Sequence, residues 1–195
     1  MADRVDLLSS ISGILKAEAP IEFVPKETAA VAVIVRGQAA GDEVLLIRRA
    51  KRKSDPWSGQ VALPGGRVSP EDGSFRKTAE RESLEEVGLD LARAKFSGYV
   101  GAFRARTGSI RVVAAVFLIG MEQKVRLNRE ASSYRWVPIS EFLAPERRRI
   151  FTLEWGGELR RFPSFEFDGY VVWGLTERIL STLIEVVRRR RYSSG

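Results

Sequence analysis

Residues 65–89 read GGRVSPEDGSFRKTAERESLEEVGL, a glycine pair and a turn leading into a helix that carries Arg81, Glu82, Glu85 and Glu86. Helical geometry, at about 100° per residue, gathers Glu82, Glu85 and Glu86 onto roughly a third of the helix surface. Each pair of like charges held that close costs an isolated helix about a few tenths of a kcal/mol. A divalent cation among the three carboxylates would explain them, and a solvated acidic face is the competing explanation. Arg81 stands beside the cluster, where a guanidinium can neutralise or orient a carboxylate. Gly88 falls where a helix ends on a left-handed residue, and Ser69-Pro70-Glu71-Asp72 reads as the turn entering the helix. Gly65 and Gly66 permit backbone to approach a ligand closely. Turn, helix and carboxylates thus point to one combined cation and phosphate site.

Composition narrows the chemistry further. A chain of 195 residues, 44% hydrophobic, can bury a full core as one domain. It contains no cysteine and no histidine. This excludes disulfides, thiolate nucleophiles and imidazole bases, and it leaves carboxylates, lysine and tyrosine for acid–base work. Metal binding through oxygen ligands suits Mg²⁺ or Mn²⁺. The net charge of +7 comes largely from Arg147-Arg148-Arg149 and Arg188-Arg189-Arg190-Arg191. A solvated basic tail is the leading reading of the second run, and nucleic-acid contact is a minority one because no aromatic-interleaved RNA motif accompanies it. No apolar run is long enough to span a bilayer and the start, Met1-Ala2-Asp3-Arg4, is polar, so a cytoplasmic protein without membrane contact is expected.

Periodicity divides the rest. Leu7, Leu8, Ile11 and Leu15 predict a helix over Val5 to Ala17, followed by an extended linker over Pro20 to Lys26. Apolar runs at Ala29 to Val35 and Val44 to Ile47 predict a strand pair. Phe96 to Phe103 and Ile110 to Ile119 predict two more, joined by a polar loop with Arg104, Arg106, Thr107 and Gly108 that could contact substrate. Arg135 to Ile139 reads as a strand before a short helix, and Gly174 to Val187 as an amphipathic terminal helix. The expected organisation is an N-terminal helix and linker over 1–25 packed on the domain, a catalytic domain over 26–187 and a basic tail over 188–195.

The segment Arg81-Glu82-Ser83-Leu84-Glu85-Glu86-Val87-Gly88-Leu89 resembles the second half of the signature of the Nudix hydrolases. Upstream, the spacing from Gly66 to Arg81 is one residue longer than the general pattern, and Asp72 fills the acidic position. Coenzyme A pyrophosphatase-like members carry that longer spacing and often that aspartate. Two of their other motifs are similar to Leu45-Leu46-Ile47-Arg48-Arg49-Ala50 and to Ser58-Gly59-Gln60-Val61-Ala62-Leu63-Pro64-Gly65-Gly66, with Ile47 in place of Thr, Leu63 in place of Phe, and Pro56-Trp57 where a His is usual. Tyr170 to Thr176 looks like that subgroup's start of the C-terminal helix.

The resemblance implies an α/β fold, a Nudix-type α/β/α sandwich with a mixed β-sheet. It implies Mg²⁺- or Mn²⁺-dependent hydrolysis of a pyrophosphate bond in a small-molecule nucleoside diphosphate derivative, coenzyme A or its derivatives first. ADP-ribose, dinucleotides or nucleoside triphosphates are the alternative substrates, and a non-catalytic nucleotide-binding module is the alternative of another class. Glu82, Glu85 and Glu86 would be the metal ligands and catalytic carboxylates, with a Gly66 or Gly65 carbonyl completing the ion's shell and Asp72 ranked below them. Glu130, in the loop before the Arg135 strand, is either the general base or an exposed loop glutamate. Arg48 and Arg49 either grip phosphate or make structural ion pairs, with Arg49 at the subgroup's arginine position. Gly65, Gly66 and Arg81 complete the expected substrate-binding set, and a homodimer is one assembly this reading admits.

Overall fold

The computed structural model describes residues 13–51, 57–104, 109–120 and 123–193, with side chains through Arg189. Its centre is a mixed sheet. Strands β1 (Thr28–Arg36) and β2 (Glu43–Arg49) form the expected antiparallel pair, joined at Val35↔Val44 and Arg36↔Glu43. β1 also runs parallel to β6 (Arg111–Ile119), which pairs antiparallel with β5 (Lys95–Arg104). On the far edge of β2 lies β7 (Ala131–Pro138), which leads into a 3₁₀ turn at Ile139–Phe142.

β1 and β2 pair at their hairpin end, where the last two residues of β1 meet the first two of β2, and diverge beyond it, and the gap between them is crossed by the chain itself. β3 (Val61–Ala62) pairs with β2, whereas β4 (Gly65–Arg67) pairs with β1. The peptide between them is fixed by the Ala32 N–H donating to Pro64 O at 2.8 Å. This crossing delivers Gly65 and Gly66 to a position opposite Val31 and Ala30, in mid-sheet.

Strand alternation sends side chains to two cores. Ala30, Ala32 and Ile34 of β1 pack with Phe75, Ala79 and Val87 of helix α1 (Phe75–Val87), while Val33 and Val35 face helix α2 (Gly174–Ser193) through Leu180, Leu183 and Val187. The sheet is therefore sandwiched between helices, as the resemblance implies. Helix α1 begins at Ser74, whose hydroxyl accepts from the Lys77 N–H, and ends at Gly88 with φ 68°, whose N–H donates to Leu84 O. Glycine takes this left-handed conformation without the clash a Cβ would bring.

Three expectations change. The last part of the helix expected over Val5 to Ala17 is not helical: residues 13–17 form turns and a bridge from Lys16 to Tyr99, and the rest of that helix lies outside the described residues. Gly98 lets this segment close on the sheet, because a Cβ there would lie 2.7 Å from Lys16 O. Second, α2 runs on to Ser193, so the Arg188 to Arg191 run continues on helical backbone instead of forming a separate tail. Third, the Tyr170 to Thr176 segment divides: the helix starts at Gly174 within it, but Tyr170–Trp173 before that is a strand (β10). It pairs with β9 (Glu158–Phe167), itself paired with β8 (Arg148–Trp155), in a separate three-stranded sheet. Except for Arg104, the residues named for the β5–β6 loop lie outside the described residues.

Candidate active site

Helix α1 meets the sheet where β4 crosses it. Its packing stripe runs Phe75, Ala79, Ser83 and Glu86–Val87, so the glutamate stands where the periodicity calls for an apolar residue. Glu86 is 3% exposed, and one carboxylate oxygen accepts from the Gly65 N–H at 2.9 Å. Glu82 is half-buried and Glu85 exposed, so the three carboxylates form a gradient from core to solvent, not one uniform acidic face.

Arg81 organises the outer part. Its Nη1 donates to Glu82 Oε1 at 2.8 Å and to both Glu85 oxygens at 3.3 Å. Its Nε and Nη2 form a fork onto Asp72 at 2.8 and 3.0 Å, and Nη2 also donates to Arg67 O. Asp72 accepts in addition from the Ser69 N–H and the Thr78 hydroxyl. The geometry thus makes Asp72 the anchor of the turn, which orients Arg81. Burial opposes its ionisation, but these hydrogen bonds and the Arg81 charge outweigh burial and bring its carboxyl down to about 2.

Glu86 goes the other way. Burial, with the nearby charges of Glu82 and Glu130, raises it to about 7 against the opposing influence of the Gly65 N–H and of Arg49. Glu82 is also raised, by burial first, against the pull of Arg81. Arg49 and Glu130 therefore both lie within electrostatic reach of Glu86. Backbone pairing explains this: Asn128 N–H donates to Glu86 O, Arg126 N–H to Val87 O, and Ala50 N–H to Glu130 O. The 126–130 segment thereby satisfies the last carbonyls of the helix and carries exposed Glu130 to the end of β2.

The two arginines separate because strand neighbours point to opposite faces. Arg49 borders a cavity of about 480 Å³ together with Gly65 and Gly66. Arg48 instead donates to Gly169 O at 2.7 Å and lies over the Tyr170 ring at 4.7 Å, tying β2 to the β9–β10 turn. Both contacts are structural, though neither is the ion pair offered as the alternative to a phosphate grip. The cavity's opposite wall comes from β8 and β9, which were not anticipated. Their signal was present, in the alternation Phe151-Thr152-Leu153-Glu154-Trp155 before Gly156-Gly157.

Among the described residues, no three carboxylates stand together as a ready-made cation cage, and Arg81 is paired with both Glu82 and Glu85. The donor set nonetheless fits a hard divalent cation. The place a Cβ would occupy on Gly66 is only 2.4 Å from Glu82 Oε1, so the absence of a side chain there is what admits this carboxylate to the turn. Glu82 and Glu130 each oppose the ionisation of Glu86, a repulsion a cation would remove.

One consequence is a pH dependence of stability. The folded-state value of Glu86, about 7, lies above its ordinary 4.5, so the ion-free fold binds the extra proton and loses about 3 kcal/mol as pH rises through that window. Asp72 has the opposite sign: its contribution is present above about pH 4 and is lost as pH falls towards 2. Thermal melts in chelator should therefore show lower stability at pH 8 than at pH 5, with Mg²⁺ restoring it at pH 8. A chelated protein more stable at pH 8 would contradict the burial assigned to Glu86.

The NUDIX domain family model matches residues 26–156, more than half of the chain. Nudix hydrolase 22, a chloroplastic protein of Arabidopsis thaliana, is 30% identical over 185 residues, covering 91% of this chain and 61% of that protein. The chain thus spans less than two thirds of this relative. The peroxisomal coenzyme A diphosphatase ndx-8 of Caenorhabditis elegans is 28% identical over 162 residues, covering 82% of this chain and 68% of that protein. A MutT/nudix family protein from Enterococcus faecalis shares the fold, with TM-score 0.57 at 18% identity over 88% of this chain and 65% of its own. The helix with its three glutamates, the glycine turn it packs against and these matches agree: the chain belongs to the NUDIX domain family.

Proposed function

We propose that the protein hydrolyses a pyrophosphate bond in a nucleoside diphosphate derivative, with coenzyme A and its derivatives as the leading substrates. The observation that carries this reading is the contact of Glu86 with the N–H of Gly65, a residue that with Gly66 and Arg49 also borders the cavity. A buried carboxylate, a turn without side chains and a cation-bearing wall are what a pyrophosphate site needs. The coenzyme A preference draws on the diphosphatase relative and on the motifs around Arg49 and Gly59-Gln60-Val61.

Glu82 and Glu86 would hold the divalent cation, with Glu85 joining when Arg81 releases it and a Gly66 carbonyl available beside them. When bound, the cation supplies charge stabilisation at the pyrophosphate and a more acidic water. The side chains do the rest. Arg49 pairs with a phosphate oxygen, and the paired glycines allow the phosphates to lie against the backbone. Glu130 accepts the proton of the attacking water, a role open to a carboxylate because the chain has no histidine. Arg81, fixed by Asp72, keeps Glu82 and Glu85 from repelling each other before substrate arrives.

The test is product analysis by chromatography and mass spectrometry after incubation with Mg²⁺ and coenzyme A, ADP-ribose, NADH or nucleoside triphosphates. Release of 4′-phosphopantetheine and 3′,5′-ADP from coenzyme A is the expected outcome. AMP from ADP-ribose or NADH, without coenzyme A cleavage, would keep the chemistry and replace the substrate. No turnover of any compound would leave a nucleotide-binding module.

A further inference from the structure

The wall facing the glycine turn has no part in the chemistry described so far. In the β8–β9 register Trp155 opposes Glu158, Leu153 opposes Arg160 and Phe151 opposes Phe162. These residues share one face of the small sheet. On β8 that face is half-buried while Thr152 and Glu154 between them are exposed. Leu153 and Trp155 border the cavity, so the apolar face is turned towards space for a ligand. Trp173 holds the sheet in place, its ring 4.7 Å from Phe151 and 5.1 Å from Phe162.

At the end of this face Trp57, from the turn before β3, stacks on Trp155 with ring centroids 5.6 Å apart and planes 20° from parallel. The pair joins the two walls of the cavity, since Trp57 precedes the glycine turn and Trp155 closes β8. Stacked in this way, the two indoles cover each other's inner faces. Because both border the cavity, an outer face is what a planar ring would stack on, as it could not on leucines. Arg160 borders the same cavity, and its exposed contact with Glu158 is a long one, 3.4 Å, so its guanidinium can move over a stacked ring. The volume of about 480 Å³ falls within the range of small-molecule sites.

Resting on the pyrophosphohydrolase reading, we propose that the Trp57 and Trp155 pair is the nucleobase platform of this enzyme. It stacks the substrate's purine and so sets which phosphoryl arm reaches Gly65 and Gly66. Much of the supporting wall, including Arg160, Phe162 and Trp173, follows residue 156, where the match to the family model ends. Trp57 and Trp155 themselves lie within the matched residues, and their support extends beyond them.

Calorimetric titration of the full chain with ADP, with 4′-phosphopantetheine and with inorganic pyrophosphate, all in Mg²⁺, tests this. Trp155→Ala should weaken ADP roughly 5- to 150-fold, the range one stacked base is worth, and Trp155→Phe should restore most of it. Trp57→Ala should act in the same direction. Pyrophosphate affinity should stay the same in every variant. Unchanged ADP affinity in Trp155→Ala overturns the platform, and so does wild-type protein that fails to bind ADP. Loss of 4′-phosphopantetheine affinity instead assigns the wall to an aliphatic arm, and equal loss of ADP and pyrophosphate marks collapse of the whole site. Either result also overturns the proposal. Because binding is read without turnover, failure of hydrolysis in the substrate panel and failure of the platform are separate results.

Discussion

Glu86→Gln should lower turnover at least about 100-fold, the loss typical of removing one member of a preorganised electrostatic site, while leaving the fold intact. The amide is nearly isosteric, and its oxygen can still accept from the Gly65 N–H. What disappears is a charge that the surroundings already disfavour, since burial and the neighbouring carboxylates push Glu86 up to about 7. In chelator at pH 8 the variant should therefore melt at or above the wild-type temperature. The rise in melting temperature that Mg²⁺ gives the wild type should shrink or vanish. Full activity in a folded Glu86→Gln protein would remove Glu86 from the metal site. Glu130→Gln makes a useful contrast: as a base on an exposed turn, its loss should lower kcat with little change in KM, and an unchanged kcat would return Glu130 to an ordinary loop residue.

The two glycines of the turn should fail in different ways. The nearest atoms a Cβ on Gly66 would meet belong to the carboxylate end of Glu82, at 2.4 Å from Oε1 and 2.5 Å from Cδ, which can swing aside. Gly66→Ala should therefore fold with a change in Tm of a few degrees and lose activity by about 10-fold or more, because the displaced group is a proposed metal ligand. A Cβ on Gly65 would lie 2.3 Å from Ala30 O and 2.6 Å from Val31 Cα, in the backbone of the central strand. No rotamer relieves that contact. Gly65→Ala should cost about 3 kcal/mol or more and lower Tm by about 6–12 °C in a domain of this size. An active Gly66→Ala protein would separate Glu82 from the site, and a Gly65→Ala protein as stable as wild type would contradict the close packing of β4 on β1.

Both predictions depend on features with different origins. The spacing of Arg81, Glu82, Glu85 and Glu86, the stop at Gly88 and the alternation in β1, β5 and β6 are local, and local rules read them directly. The resemblance carried by the same residues extends that reading to the family. The sequence could not say which glutamate is buried. Helical periodicity gives only the angles between side chains, and burial depends on which surface comes to rest against them. That surface is β4, placed by the divergence of β1 from β2 and the crossing at Leu63-Pro64.

The same reason governs Arg48 and Arg49. Adjacency on a strand requires that they face opposite ways, but only the packed sheet decides that Arg49 borders the cavity and Arg48 meets Gly169 and Tyr170. Asp72 was legible as part of a turn, and its fork with Arg81 across 9 positions was not. Local chemistry, written in side-chain type and spacing, is thus determined by the sequence alone. Burial, the raised carboxyl of Glu86 and the aromatic wall opposite it arise from contacts between distant segments, and only the tertiary structure decides them.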